Sequence, residues 1–315
     1  MKKNKVLFIY LILNCYFTYS VDLIIFSMNR PLQLYACLES IERNCINYNN
    51  IYTIYKATTY EFLASYQVIK NYFKEVVFLE QNNTLNGQDF KPFIMDILNN
   101  NSVEYAAFLV DDIIVKDYVD LKKCTMALKE NSNFIGFFLR LGTNIQECYS
   151  LKIKFHPPCK LYKDDIYMWK FKNGLLDKPG WDALSKGDWN FATTLDFTIY
   201  KKEFIKEGIS GLDFYNPTFE GSWWDKFKQI KANLKKNGLC FEKSKIVNIC
   251  TNVVNVNTAN WSQFSKDWLE NHYNNFSVEA LLNVFNRGFK IDINEFFKIN
   301  NKSPHIECEF RFIER

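Results

Sequence analysis

The sequence predicts an α/β fold with a mainly parallel central sheet and helices on both faces of that sheet. Two observations support this prediction. Residues 22–130 alternate between short apolar runs, typical of strands, and longer segments whose apolar residues recur at helical spacing. Short apolar strands that alternate with helices are the pattern of parallel sheets covered on both sides. The length of 315 residues and a hydrophobic fraction of 48% provide for a substantial core.

The first half contains four strand–helix pairs. "VDLIIFSMNRP" predicts a buried strand that runs into a loop at residues 29–31, and "LQLYACLESIERN" follows with helical spacing. The next pairs are "NIYTIYKAT" with "YEFLASYQVIKNYF", "EVVFLEQ" with "DFKPFIMDILNN", and "EYAAFLVDD" with "LKKCTMALKEN". Pro92 falls in the first turn of its helix, where proline is tolerated.

The second half is less regular. Residues 141–190 are rich in Lys, Asp, Gly, Pro and Trp and predict long loops. "FATTLDFTIYKKEFIKEG" predicts a strand and a short helix, "NPTFEGSWWDKFKQIKANL" a helix, and "KSKIVNICTNVVNVN" β structure. Because no internal repeat or low-complexity linker separates the halves, residues 21–315 are predicted to form a single domain.

Residues 1–20 predict a signal peptide or an N-terminal anchor. Lysines precede the apolar run "VLFIYLILNCYFTYS", and Thr18 and Ser20 stand at −3 and −1 of a cleavage site before Val21. The run is shorter than the roughly 20 residues that span a bilayer comfortably. We therefore expect export or membrane association through residues 1–20, and a cytoplasmic protein if this leader does not function; a buried first strand is the third alternative.

Composition and missing motifs exclude several classes of protein. The net charge is only +4 and the basic residues are scattered, so no nucleic-acid surface is predicted. The sequence has no P-loop, no Gly-x-Gly-x-x-Gly after the first strand, no Gly-x-Ser-x-Gly elbow, and no zinc motif. Eight of the nine cysteines follow the leader, so disulfides are possible, but their pairing does not follow from the sequence.

Two adjacent carboxylates mark the predicted functional edge of the sheet. Asp111 and Asp112 end the strand "YAAFLV", and Ser27 to Arg30 end the first strand. Ligands of such sheets bind beyond the carboxyl ends of the strands. Hard oxygen ligands at this position suit Mn²⁺ or Mg²⁺, with a diphosphate completing the coordination shell.

These segments resemble the A-type glycosyltransferases, which have the nucleotide-diphospho-sugar transferase fold. "DLIIFSMNRPLQLYACLESI" resembles their opening strand and helix, "FKPFIMDIL" the helix before the metal motif, and "FLVDDIIV" the acidic DxD motif itself. "GDWNFATTLDFTIYKKEFI" and "NPTFEGSWW" are similar to the acceptor-side segment of family-two-like members. The acids are adjacent here, whereas the usual motif would place one at Val110. The resemblance implies a nucleotide-sugar half at residues 21–130, and an acceptor half with a C-terminal extension at 131–315.

The resemblance also implies roles for single residues. The metal ligands would be Asp112, Asp111 and His305, with Asp111 contacting either the ribose or the metal through water. The donor-binding residues would be Ser27, Asn29, Arg30, Lys91 and Asp111. For Asn29 and Arg30 a structural loop-capping role is the alternative, and for Lys91 a solvated helix face. Glu220 would be the general base that acts on the acceptor, or an N-terminal helix residue that only complements the helix dipole.

The predictions for four side chains are less direct. Asp196 would act near the transferred sugar, with a strand-edge carboxylate as the alternative. Trp223 and Trp224 would stack on a sugar ring, although such pairs are more often half-buried core residues. His305 has a purely structural role as its alternative.

The sequence thus predicts a metal-dependent glycosyltransferase that moves a sugar from a nucleotide-diphospho-sugar to a hydroxyl of a glycan, lipid or protein. Two alternatives stay open. One is a non-catalytic sugar-binding protein on the same fold. The other is a sugar nucleotidyltransferase, which usually has a Gly-rich loop after the first strand, whereas "SMNRPLQL" has no glycine.

Overall fold

The structure, a computed structural model, describes residues 20–85, 87–99, 103–171, 187–230, 235–252 and 276–315. Of the predicted leader, residues 1–20, all but Ser20 lies outside the described residues. No helix in these described ranges has the length and apolar character that a bilayer crossing requires.

The first half alternates strands and helices in the predicted order. Its strands are β1 (Val21–Met28), β2 (Cys45–Ile46), β3 (Tyr48–Lys56), β4 (Val76–Glu80), β5 (Tyr105–Val110), β6 (Ile113–Val115) and β7 (Val119–Asp120). Its helices are α1 (Pro31–Asn44), α2 (Tyr60–Tyr72), α3 (Phe90–Asn99) and α4 (Leu121–Lys129). Helix α1 begins at Pro31, whose fixed φ suits the first helical position. The alternation predicted for residues 22–130 is confirmed.

The second half contains more β structure than predicted. Its strands are β8 (Phe134–Phe138), β9 (Glu147–Cys148), β10 (Ile153–Lys154), β11 (Lys160–Lys163), β12 (Ile166–Lys170), β13 (Thr198–Lys201), β14 (Asn237–Phe241), β15 (Ile246–Ile249), β16 (Phe289–Ile291), β17 (His305–Ile306) and β18 (Phe312–Glu314). Its helices are α5 (Lys202–Ile209), α6 (Asn216–Gln229) and α7 (Val278–Asn286). The loops predicted for residues 141–190 therefore include the hairpin β11–β12.

A nine-stranded sheet passes through both halves, in the order β11-β12-β14-β8-β13-β5-β1-β3-β4. The pairings β5–β1, β1–β3, β3–β4 and β14–β8 are parallel. The pairings β11–β12, β12–β14, β13–β8 and β13–β5 are antiparallel. The predicted α/β class and the parallel first half are confirmed, but the whole sheet is mixed because β13 and β12 run against their neighbours.

Two apolar cores cover the two faces of this sheet. Along β1, Leu23 and Ile25 belong to one core, whereas Ile24 and Phe26 belong to the other. This division follows from the alternation of side chains along a strand. Buried residues of α1, α2, α4 and α7 complete the first core, and those of α3, α5 and α6 complete the second. Helices therefore lie on both faces, as predicted.

Strand direction determines which residues meet at the functional edge. Strands β5 and β8 are both antiparallel to β13, so they point the same way as β1. Their carboxyl ends and the residues preceding β13 lie at one edge of the sheet, which we call the rim. A separate three-stranded sheet, β17-β15-β6, places His305 opposite Asn248 and Asn248 opposite Ile113, the residue after Asp112.

The cysteines do not form disulfides in the described chain. All eight cysteines beyond the leader are free thiols, and five of them are buried: Cys37, Cys45, Cys124, Cys148 and Cys240. Buried free cysteines behave as small apolar side chains. Cys37, Cys45 and Cys124 belong to the first core and Cys240 to the second.

Candidate active site

The two carboxylates after β5 share one guanidinium. Arg30 Nη1 lies 3.0 Å from Asp111 Oδ1 and 3.0 Å from Asp112 Oδ2. Arg30 immediately precedes α1, and its Nη2 donates to the backbone carbonyl of Asn252. Parallel pairing of β1 with β5 brings the ends of these two strands together, and the Asp111 amide donates to the Phe26 carbonyl (3.1 Å). This arrangement stems from the topology predicted from the sequence.

Asp111 has both of its carboxylate oxygens engaged. Ser27 Oγ donates to Asp111 Oδ2 at 2.8 Å, and Arg30 occupies Oδ1. Ser27 Oγ also lies 2.7 Å from the hydroxyl of Tyr66, which accepts the backbone N–H of Arg30 at 3.2 Å. Burial raises the pKa of Asp111, although Arg30 and Ser27 act to lower it. Asp111 is thus a buried anchor for the end of β1.

Asp112 differs from Asp111 in one respect. Its Oδ1 is buried and accepts no hydrogen bond from the residues that the structure describes. Burial raises the pKa of Asp112 to about 6; Arg30 opposes this shift, and the charges of Asp111 and Asp196 add to it. A buried carboxylate oxygen without a donor is costly, so this atom is suited to a ligand that brings positive charge.

A second group of charges lies at the same rim, before β13 and after β8. Arg140 Nη1 lies 3.0 Å from Asp188 Oδ1 and 3.2 Å from Asp196 Oδ2, and the Arg140 side chain is only 3% exposed. His305 Nε2 lies 3.3 Å from Asp196 Oδ2, and its Nδ1 lies 3.8 Å from Asp188 Oδ1. Asn248 Nδ2 donates to Asp196 Oδ1 at 3.4 Å.

These contacts determine the protonation states of Asp196 and His305 at neutral pH. Burial disfavours ionised Asp196, but the hydrogen bond and charge of His305, together with Arg140, lower the pKa of Asp196 to about 2. Burial disfavours charged His305 as well, yet Asp196 and Asp188 raise the pKa of His305 to about 9. At neutral pH the pair is therefore a carboxylate with an imidazolium.

Glu220 completes the rim from helix α6. Its Oε1 accepts the Leu195 backbone N–H at 2.9 Å, which holds the carboxyl group beside the segment before β13. Burial and the negative charge of Asp196 raise the pKa of Glu220 to about 7. A carboxylate with a pKa near the working pH is suited to general base catalysis. Glu220 lies in the second turn of α6, so the helix-dipole alternative does not account for its position.

The two groups form one electrostatic unit, which we call the rim cluster: Arg30, Asp111, Asp112, Arg140, Asp188, Asp196, Glu220 and His305. The charges of Asp196 and His305 affect the pKa of Asp112, and those of Asp196, Arg140 and His305 affect the pKa of Glu220. The predicted residues Ser27, Arg30, Asp111, Asp112, Asp196, Glu220 and His305 are therefore brought together at the rim.

Two predicted donor-binding residues make other contacts. Asn29 Nδ2 donates to Thr58 Oγ1 (2.7 Å), and Asn29 Oδ1 accepts the Thr58 backbone N–H (2.9 Å). Asn29 has φ = 55°, a conformation that asparagine tolerates better than most residues. These contacts support the loop-capping alternative for Asn29. The Lys91 ammonium donates to the Leu212 carbonyl and lies 5.7 Å from the centroid of the Phe214 ring, so it ties α3 to the loop before α6.

The predicted stacking surface is wrong for Trp223. Its side chain is fully buried, and its ring is parallel to that of Phe219 at 5.9 Å between centroids. Trp224 is partly buried, 5.0 Å from Phe191 and 5.6 Å from Phe227. Helical geometry points successive residues in different directions, so Trp223 enters the core beneath α6.

Sequence reasoning missed Arg140 and Asp188. Arg140 comes two residues after β8, and the same rule that singled out Asp111 would have found it had "FIGFF" been recognised as a strand. Asp188 lies in a short 3₁₀ turn, and no local signal connects it to the rim. Tyr66 lies in a helix that the sequence predicts, but its hydroxyl contact with Ser27 is a tertiary feature.

Whether a divalent cation can bind at the rim depends on which potential ligand atoms lie close together there. Asp111, Asp112 and His305 do not form a ligand set, since no group of three potential ligands occurs in the described part of the chain. The ring nitrogens of His305 face Asp196 and Asp188, and its role as a metal ligand stays a prediction. Asp112 Oδ1 does fit, because Mg²⁺ is often bound by one or two carboxylates together with water and substrate phosphates.

Comparison with known proteins gives one curated relative at the sequence level. The chain is 26% identical over 204 residues to the bifunctional glycosyltransferase pgtA of Dictyostelium discoideum. The match covers 62% of this chain and 26% of the relative, so the chain spans about a quarter of that protein's length. No family model matches the chain. The similarity to this relative confirms the resemblance to glycosyltransferases that the motifs predict.

Solved structures of S. aureus TarS are similar to this chain at low identity. One TarS structure is 15% identical, with a TM-score of 0.41, and the match covers 72% of this chain and 36% of TarS. TarS 1–349 in complex with UDP is 14% identical, with a TM-score of 0.42, and covers 72% of this chain and 59% of that chain.

Proposed function

We propose that this chain is a metal-dependent glycosyltransferase that moves a sugar from a nucleotide-diphospho-sugar to a hydroxyl group of a glycan, lipid or protein. The observation that carries this proposal is the composition of the rim cluster. The buried carboxylate oxygen Asp112 Oδ1 lacks a donor among the described residues, as does Asp188 Oδ2, and another carboxyl group, that of Glu220, has a pKa of about 7. Asp112 suits the binding of a cation and Glu220 suits the removal of a proton.

The donor side of the reaction rests on Asp112 and Arg30. A diphosphate is repelled by carboxylates, so its binding beside Asp111 and Asp112 requires added positive charge. Mn²⁺ or Mg²⁺ held by Asp112 would neutralise the negative charge that develops on the leaving diphosphate. Arg30 holds the carboxylate pair in place, and Ser27 fixes Asp111 from the other side.

The acceptor side rests on Glu220. In an inverting reaction a carboxylate takes the proton of the attacking hydroxyl as the new bond to the anomeric carbon forms. Asp196 supports this role, because its charge helps to keep the pKa of Glu220 near neutrality. Asp196 is itself engaged by Arg140, His305 and Asn248, so we assign it an orienting and electrostatic role near the transferred sugar.

A binding experiment tests this proposal. Titration calorimetry with UDP and a panel of UDP-sugars, with and without Mn²⁺, should show binding that depends on the metal. Asp112→Asn should weaken that binding by at least about tenfold, since the loss of one charged ligand contact is worth about 1.4 kcal/mol or more. The matched control is Asp225→Asn, which removes an exposed carboxylate that pairs with Lys228.

Catalysis is tested with the same panel. Slow metal-dependent hydrolysis of one donor, lost in Glu220→Gln, would support the enzyme. Glycan binding that is indifferent to metal, without any donor hydrolysis, would contradict the proposal and favour the non-catalytic sugar-binding alternative.

A further inference from the structure

A cavity lined by three lysines lies at the edge of the sheet opposite the rim. It has a volume of about 500 Å³ and is lined by residues of β11, β12 and the amino end of β14, together with Asn133, Pro158 and Lys235. Asn133 directly precedes β8, whereas Arg140 of the rim cluster follows β8. The cavity and the rim cluster are therefore separated by the length of a strand, and no residue is shared between them.

Strand register explains why the lysines converge. Lys160 of β11 pairs with Met168 of β12, and Lys170 of β12 pairs with Asn237 of β14. Paired residues on neighbouring strands point to the same face of a sheet, and residues two apart on one strand do so too. Lys160, Lys170 and Asn237 thus project from one face into the same cavity.

The cavity lysines have no counter-ion among the residues that the structure describes. Lys160, Lys170 and Lys235 form no ion pair with any residue that the structure describes, and the lining contains no carboxylate. Other lysines nearby are engaged: Lys163 lies 3.0 Å from Glu130 Oε1, and Lys236 Nζ donates to the Ser132 carbonyl at 3.2 Å.

Three like charges around one concave space create a positive potential there. The amides of Asn133 and Asn237 add neutral donors, and Met168 and the edge of Trp169 add apolar surface. The volume is within the range of small-molecule sites. We propose that this cavity binds a multiply charged oxyanion, namely a phosphate or sulfate group, either as a free anion or attached to a glycan.

This site is independent of the proposed glycosyl transfer, and its test requires no activity. The full chain is treated with an acetylating reagent in the presence of EDTA, and the modification of each lysine is measured by mass spectrometry. Pyrophosphate and a sulfated heparin hexasaccharide are the two probes. The probe that binds should protect Lys160, Lys170 and Lys235, while the modification of Lys163 stays unchanged. Protection by pyrophosphate identifies a free anion as sufficient, and protection by the hexasaccharide alone identifies a charged glycan.

Variants provide a second measurement. The triple substitution Lys160→Gln, Lys170→Gln and Lys235→Gln should lower probe affinity by about tenfold, since three exposed charge contacts together contribute about 1.4 kcal/mol. Lys163→Gln removes one charge from the same hairpin outside the cavity, and affinity should change less than about twofold. Protection that is uniform over all lysines, or no protection by either probe, overturns the proposal. Mn²⁺-dependent UDP binding by the triple variant should be unchanged, which separates this site from the rim.

Discussion

Replacing Glu220 with glutamine is expected to stabilise the fold while it strongly lowers the proposed activity. Burial and the charge of Asp196 raise the pKa of Glu220 from 4.5 to about 7. The folded state therefore binds the Glu220 proton more tightly than the unfolded state does. The resulting contribution to stability is fully present below about pH 4.5 and is lost as the pH rises through about 7.

The magnitude follows from the size of the shift. Each pKa unit corresponds to about 1.36 kcal/mol, so ionised Glu220 costs the folded state at most about 3 kcal/mol above neutral pH. Glutamine cannot ionise, and its amide oxygen can still accept the Leu195 N–H. Glu220→Gln should thus raise the free energy of unfolding by up to about 3 kcal/mol near pH 8, and by close to zero near pH 4.

Urea unfolding followed by tryptophan fluorescence at these two pH values measures the effect. Asp225→Asn is the control on the same helix, because its carboxylate is exposed and should change stability by less than about 0.5 kcal/mol at either pH. Donor hydrolysis by Glu220→Gln should fall by about 10²- to 10⁴-fold. Equal stabilisation at both pH values, or destabilisation near pH 8, would refute the assigned burial of this carboxyl group.

Three further predictions concern buried contacts, one in the rim cluster and two elsewhere in the fold. Arg140→Met leaves two buried carboxylates without their guanidinium and should lower the free energy of unfolding by about 3–5 kcal/mol, measured by chemical denaturation. Gly208→Ala should lower the free energy of unfolding by about 1–3 kcal/mol, and with it the melting temperature, because the added Cβ would clash with Trp223 Nε1. Lys202→Met should lower the free energy of unfolding by about 3–5 kcal/mol, because buried Asp22 would lose the Lys202 ammonium that lies 2.7 Å from its carboxylate. The double variant with Asp22→Leu should recover most of this loss. Failure to recover it would show that other contacts of these two residues dominate.

The first half of the fold was predictable because the sequence patterns of its strands and helices are local. Apolar strands that alternate with amphipathic helices fix a parallel sheet, and strand ends then place Asp111 and Asp112 beside Ser27 and Arg30. The free oxygen of Asp112 is a finer detail that only side-chain packing determines.

The second half was less predictable for physical reasons. Strand β13 is antiparallel to both neighbours, and nothing in "TIYK" specifies direction. Its direction is what brings Asp196, which precedes it, to the rim. His305 reaches the cluster through two residues of pairing between β15 and β17, a contact that is non-local in sequence. Arg140 was not predicted as a site residue because β8 was not recognised as a strand.

The guanidinium shared by Asp111 and Asp112 has a practical consequence for handling the protein. Because Arg30 pairs with both carboxylates, part of their negative charge is neutralised by the chain itself, and we expect the protein to fold without a divalent ion. Extensive dialysis against a chelator should therefore leave an intact scaffold. The metal dependence that we propose can then be tested by adding Mn²⁺ or Mg²⁺ back to the same preparation and measuring binding and catalysis separately.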